Sequence, residues 1–386
     1  MRSITHCATA PIYIFLALCT VLTAACSGQM AVPQRTEAES LPKAASTPVA
    51  GQTITIAAVG DIMLGSPFPN DTRMPPNDGA DLLRPVTPIL SEADIAFGNM
   101  EGPIVDGGLS EKCKPPPTPQ PGEKPEPIRC YAFRMPTRYA AYLKEAGFDI
   151  MSLANNHAAD FGDAGRASTR RTLDSLGIKH AGSDRRQFST TYLDVPGRTI
   201  AFIGFAHNNI VPNVNDLVAA RALVTQAAKK ADIVVVSFHG GAEGIGSQHV
   251  PQSTELFFGE KRGNLPLFAR TVIDAGADLV LGHGPHVLRG MEVYKDRLIA
   301  YSLGNFATYG WFRLEDETAL SAILSVDLAL DGKFIGGKLH AVRQEGRGGP
   351  ILDPTAAAVA KIRSLSAADF PRTAPRIEND GTISPP

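Results

Sequence analysis

The amino-acid sequence predicts an α/β fold. Seven apolar runs rich in β-branched residues each stop abruptly at glycine and polar residues, as strands buried on both faces do. Amphipathic stretches with helix-start and helix-stop residues fall between them. At 386 residues, 44% of them hydrophobic, the chain can bury a core for one large domain or two small ones. The formal net charge of −2 sets up no global field towards nucleic acid, so no nucleic-acid partner is expected.

Residues 1–25 read as an export signal. Arg2 gives a weakly basic start, and 11–22 ("PIYIFLALCTVL") is nearly all apolar but too short to span a bilayer. The following "LTAAC" resembles the lipobox of bacterial lipoproteins, which implies that Cys26 becomes the lipidated first residue of the mature chain. The alternative is an ordinary signal cleaved nearby. Both predict export, and the first predicts anchorage to a bacterial membrane through lipid. Residues 26–52, rich in Ala, Pro, Ser, Gln and Glu without periodicity, read as a disordered tether.

The folded domain is expected over 53–380. "TITIAAVGD" is a strand ending at Asp61, and "ADIAFGNMEG" one ending at Asn99 and Glu101. A proline-rich insertion, 113–130, comes next. With Cys7, Cys19 and Cys26 assigned to the signal and lipid, Cys113 and Cys130 remain to flank it. In an oxidising compartment such a pair forms a disulfide, which would contribute about 3 kcal/mol for a loop of this size; two reduced thiols are the alternative. "PTRYAAYLKEAGF" reads as a helix with Thr137 as N-cap and Gly147 beyond its last turn. "FDIMSLANNH" is a strand ending at Asn156 and His157, followed by the helix "DAGRASTRRTLDSLGI", which stops at Gly177. "RTIAFIGFAHNN" ends at His207, "ADIVVVSFHGG" at His239 and "ADLVLGHGPH" at His283 and His286. The helices "VNDLVAARALVTQAAKKAD" and "NLPLFARTVIDAGAD" separate these three strands. "RLIAYSLGNF" reaches Asn305. Two antiparallel strands then turn at Asp331-Gly332, and a helix over 354–368 precedes a tail.

Ligands of open α/β sheets bind outside the carboxyl ends of the strands. That edge collects Asp61, Asn99, Glu101, Asn156, His157, His239, His283 and His286. Carboxylate, carboxamide and imidazole together make a ligand set for Mn, Zn or Fe; the plainer reading is a series of turn-capping residues. Two close metals would lower the pKa of a bridging water and clamp the attacking and leaving oxygens. No G-x-S-x-G elbow and no G-x-x-x-x-G-K-[ST] loop occurs, which argues against a serine nucleophile and against ATP-driven chemistry.

Six motifs in order, "AAVGDIMLG", "FGNMEGPI", "LANNHAADFG", "SFHGGAE", "GADLVLGHGPHVL" and "YSLGNF", resemble the signatures of the bacterial capsule-synthesis family, the CapA proteins of poly-γ-glutamate synthesis. The resemblance spans 53–380. It implies a four-layer αββα sandwich similar to the calcineurin-like metallophosphoesterases, with one or two divalent ions. It also implies roles. Asp61 is the first metal's carboxylate, Glu101 takes the bridging position, and Asn156 gives its side-chain oxygen to the second metal. His157 faces the substrate as acid or electrostatic stabiliser. His239, His283 and His286 complete the shells. Three features depart from the metallophosphoesterase and family patterns. Met63 stands where a ligand histidine is usual, His283 and His286 are separated by one extra residue, and Gly240 stands where a tryptophan is common.

Asn99, His207 and Asn305 are candidates for substrate binding, the last two alternatively as loop residues. His180, His249 and His340 read as surface or loop histidines. Glu243 reads as a partner fixing an imidazole tautomer or as a solvated acid, and Trp311 as a packed or polymer-binding loop aromatic. Two functions fit. One is an envelope-anchored, metal-dependent hydrolase or transferase using a metal-bound hydroxide. The other is a non-catalytic lipoprotein that holds nascent capsular polymer during assembly or export. The expected partners are that polymer or its precursor, the membrane, and membrane subunits of a capsule synthase.

Overall fold

Residues 53–113 and 130–386 are described by the computed structural model. The expected signal, Cys26, the tether and the interior of the insertion lie outside the described residues. The strands are β1 (Thr53–Met63), β2 (Ile95–Met100), β3 (Ile150–Ser152), β4 (Lys179–Ala181), β5 (Thr190–Val195), β6 (Arg198–Ala206), β7 (Ile233–His239), β8 (Glu255–Phe257) and β9 (Glu260–Gly263). They continue with β10 (Leu279–His283), β11 (Met291–Tyr294), β12 (Arg297–Ala300), β13 (Asn305–Thr308), β14 (Leu320–Ala329), β15 (Phe334–Gln344), β16 (Pro350–Leu352), β17 (Arg376–Ile377) and β18 (Thr382–Ser384). The α-helices are α1 (Thr87–Glu92), α2 (Ala140–Glu145), α3 (Gly162–Ser175), α4 (Leu217–Ala228), α5 (Leu265–Asp274) and α6 (Ala357–Asp369).

One sheet runs β17-β18-β15-β14-β1-β2-β3-β4, with β13 beside β1 and β16 beside β15; the other runs β11-β12-β10-β7-β6-β5. The alternation of side chains along each strand builds the layers. Ile54, Ile56, Phe97, Phe202, Val235 and Leu281 point between the sheets, where the Phe97 and Phe202 rings stack with centroids 5.9 Å apart. Val59, Ala96 and Met151 point the other way, onto Leu90 of α1, Leu143 of α2 and Leu173 of α3. Val234, Val236 and Val280 do the same for Val224 of α4 and Phe268 and Val272 of α5. The result is a four-layer αββα sandwich. Each large apolar side chain buried this way contributes about 1.5–3 kcal/mol. Because both faces of the central strands are covered, their sequences are continuously apolar.

Strand pairing aligns the site. Asp61 is opposite Asn305 on one side and Asn99 on the other. His239 lies opposite His283, and Ala206 opposite His239. Glycine precedes a site residue where neighbouring backbone leaves no room. A Cβ at Gly60 would collide with the Gly304 carbonyl, and one at Gly282 with the Tyr301 carbonyl.

Most sequence expectations for the strands and helices hold, including the Asp331-Gly332 turn, closed by hydrogen bonds between Ala329 and Lys333 and from Gly332 to Ala329. Three differ. Thr137 does not cap α2; its hydroxyl and amide bond Asp106 within a 3-10 turn, Thr137–Tyr139. The tail is ordered to Ser384, since β18 pairs with β15 beyond the expected boundary at 380. His180 is buried on β4, 3.3 Å from Asp174, not on the surface. A further strand, the polar β5, to which the sequence reading assigns no element, pairs antiparallel with β6. Cys113 and Cys130 form a disulfide across the insertion, with Cα atoms 5.6 Å apart.

Candidate metal centre

The carboxyl ends of β1, β2, β7 and β10 deliver Asp61, Glu101, His239 and His283 to one point between the sheets. All four side chains are at most about 1% exposed. Single oxygen or nitrogen atoms of Asp61, Glu101 and His239 all lie within 4.8 Å of one another. His239 Nδ1 is 3.5 Å from Glu101 Oε2, and His283 Nδ1 is 3.8 Å from Asp61 Oδ1. His286 Nδ1 is 2.9 Å from Asp61 Oδ2, so the Gly284-Pro285 turn brings both imidazoles to one carboxylate. His286 adopts a left-handed φ of 57° to do so.

The donor chemistry fits a divalent cation. Glu101 Oε1, both ring nitrogens of His239, both of His283, and Asn156 Oδ1 are buried without a hydrogen-bond partner among the described residues. Each such group left unpaired costs about 1–3 kcal/mol. One or two cations facing them would offset that cost jointly. Burial, reinforced by the charge of Asp61, pushes the Glu101 carboxyl well above the usual range. Burial pulls His239 well below its ordinary value and His283 down to about 4. These two imidazoles are therefore neutral at pH 7 and offer lone pairs. Burial also acts to lower His286, but the Asp61 hydrogen bond and charge, with Glu101, raise it to about 9.

Around these groups lies a second set. Asn99 Nδ2 donates to Asp61 Oδ1 at 2.7 Å and to Glu101 Oε2 at 2.8 Å. Asn305 Oδ1 is 3.1 Å from His286 Nδ1, and its Nδ2 donates to the His286 carbonyl. Both asparagines are fully buried. Their amides bond the acids and His286, contacts that would hold those groups in place. His207 is also engaged, 3.4 Å from Glu260 and 3.4 Å from the His239 carbonyl. Both of its ring nitrogens face protein groups. Glu243 pairs with Arg262 at 2.8 Å, and among the described residues no ion pair joins it to an imidazole.

Sequence reasoning missed the support of His157. Asp160 Oδ2 is 2.7 Å from His157 Nδ1, which leaves Nε2 towards Glu101 Oε1 at 4.0 Å. Lys112 Nζ lies 3.1 Å from the same Nδ1 and 3.4 Å from Asp160 Oδ1. Phe133 stacks on the imidazole with centroids 3.9 Å apart. The His-x-x-Asp spacing was the available signal for Asp160. Nothing in the sequence spacing pointed to Lys112 or Phe133. Burial lowers His157, opposed by Asp160. A metal or substrate would thus meet an imidazole held by one tautomer-fixing carboxylate.

Residues 55–309 match the profile described as "Bacterial capsule synthesis protein PGA_cap". The chain is 31% identical over 296 residues to the PGA biosynthesis protein CapA of Bacillus subtilis (strain 168), covering 72% of this chain and 69% of that one. It is 28% identical over 319 residues to the capsule biosynthesis protein CapA of Bacillus anthracis, covering 78% and 70%. Among solved structures, a phosphatase of Mycoplasma pneumoniae overlaps 76% of this chain and 94% of its own, at 12% identity and a TM-score of 0.46. No residue's role follows from that last likeness.

Proposed function

Because the chain belongs to the bacterial capsule synthesis protein PGA_cap family, we propose that it acts in making or processing a capsular polymer, as a metal-dependent hydrolase or transferase at the cell envelope. The observation that carries this is the set of buried, unpartnered ligand atoms on Glu101, Asn156, His239 and His283. Asp61, Glu101 and His239 would hold a first ion, and Asn156, His283 and His286 the remaining positions. A bound divalent ion supplies Lewis acidity for cleaving or transferring an ester or amide. Asn99 keeps both acids aimed at one point. His157, whose Nδ1–H is held by Asp160, presents the Nε2 lone pair to the reacting group and would act as acid or electrostatic stabiliser once that nitrogen takes a proton. Lipidation at Cys26 and attachment to a membrane belong to the same proposal.

The test is the metal content of purified protein, wild type against Glu101→Gln. Stoichiometric Mn, Zn or Fe in the wild type, lost in the variant, is expected; a metal-free wild type overturns the reading. The second reading, a holder of polymer without catalysis, is favoured by Met63, which offers no ligand nitrogen, and by His286 Nδ1, already bonded to Asp61 and Asn305. Capsule yield of cells carrying Glu101→Gln separates the two. Lost capsule goes with catalysis, retained capsule with holding.

A further inference from the structure

Beside the metal centre three loops meet. The segment after β1 carries Arg73, the turn after β13 carries Gly310 and Trp311, and the turn after β15 carries Arg347. The Gly310 amide donates to the Arg347 carbonyl at 2.7 Å, and a Cβ on Gly310 would press on Arg73 at 3.1 Å. The Arg73 guanidinium lies 3.7 Å from the centroid of the Trp311 ring. Arg347 lies over Tyr309 at 5.6 Å. Among the described residues, no carboxylate pairs with either guanidinium, although Arg84, Arg138, Arg166 and Arg343 each have one. The Trp311 indole N–H is buried and has no acceptor among the described residues. Burial and the charge of Arg347 together lower Arg73, so the two cations repel each other without a counter-ion.

Two guanidiniums without a carboxylate partner and an orphaned N–H donor, carried on three adjoining loops, are the complement of an oxyanion. Their position joins these loops to the centre. Trp311 packs against Phe133 with centroids 5.4 Å apart, and Phe133 stacks on His157. We propose that Arg73, Arg347 and Trp311 form an oxyanion subsite, which holds a charged group of the substrate beside the bond addressed at the metal centre. The adjacency to a reacting bond rests on the function proposed above; the binding of the anion does not. The oxyanion is a carboxylate of an acidic polymer or a phosphoryl group, and both present the same charge and acceptor geometry.

Trp311 is the single tryptophan of the chain, so its fluorescence reports on the subsite alone. The full-length protein is titrated with a γ-linked glutamate decamer, with inorganic phosphate, and with sodium chloride at matched ionic strength. A saturable change with the decamer identifies the carboxylate source, and one with phosphate only the phosphoryl source. Arg347→Gln, an exposed position, and Arg73→Gln should each weaken binding at least tenfold with the circular dichroism unchanged. Unaltered affinity in both variants overturns the proposal, and so does an equal response to chloride. Glu101→Gln separates the two readings. It should empty the metal centre and leave the titration intact, whereas loss of the titration in this variant would place the anion on the metal and sink the subsite.

Discussion

Asn99 spends a single amide nitrogen on two acids, and the pair of carboxylates depends on it. Asn99→Ala removes the donor that holds Asp61 and Glu101 in register. Outer partners of this kind typically change metal affinity by about 10- to 100-fold. A chelator competition should show that loss in a protein of unchanged fold, and an unchanged affinity would deny Asn99 the positioning role. The sequence reading reached the ligands because each ends a long apolar run, where a polar residue is conspicuous. It could not rank Asn99 and Asn305 as positioning residues. Their hydrogen bonds to Asp61 and His286 come from strands joined only in the folded state. Lys112 and His157 meet across 45 residues of chain, a contact that no local spacing encodes.

At the scale of elements, the strand–glycine–ligand pattern of β1 and β10 sets the geometry. Gly60 lets the Leu303-Gly304 backbone cross directly above Asp61, whose amide donates to the Gly304 carbonyl at 3.0 Å. Gly60→Ala forces backbone against backbone and should cost about 1–3 kcal/mol or more, read as a lowered denaturant midpoint. An unchanged midpoint would mean that β13 can move away from β1. The buried strands were legible because both their faces are covered. The short strands β4, β8, β17 and β18 were not, since two or three residues carry no period. In β5 ("TTYLDV") the pattern is half-exposed and no element is assigned to it from the sequence; β6 supplies its partner in the fold.

Across the whole molecule the two sheets contribute different chemistry. β1 and β2 bring the carboxylates Asp61 and Glu101, and β7 and β10 bring His239 and His283. An ion held between them would link the layers, so chelation should lower the Tm by an amount that grows with the free metal concentration of the reference sample. A Tm indifferent to chelator would mean that the layers need no link. The metal-free protein should also lose stability as pH rises. The folded-state pKa of His286, about 9, exceeds the ordinary value of about 6.5. The stabilisation from its proton is therefore complete below about pH 6.5 and fades as pH climbs through about 9, and the raised Glu101 adds in the same direction. Thermal melts of chelated protein between pH 6 and 9.5 check the sign.

The Cys113–Cys130 bond has a consequence for when the site becomes complete. Lys112 immediately precedes one sulfur and Phe133 follows the other by three residues, and both touch His157. Joining the sulfurs fastens the two arms to each other, so they reach the imidazole as a matched pair. Closure of this one covalent link thereby acts as a commissioning step: a chain kept among reducing thiols would carry its ligands but not the finished cradle around His157.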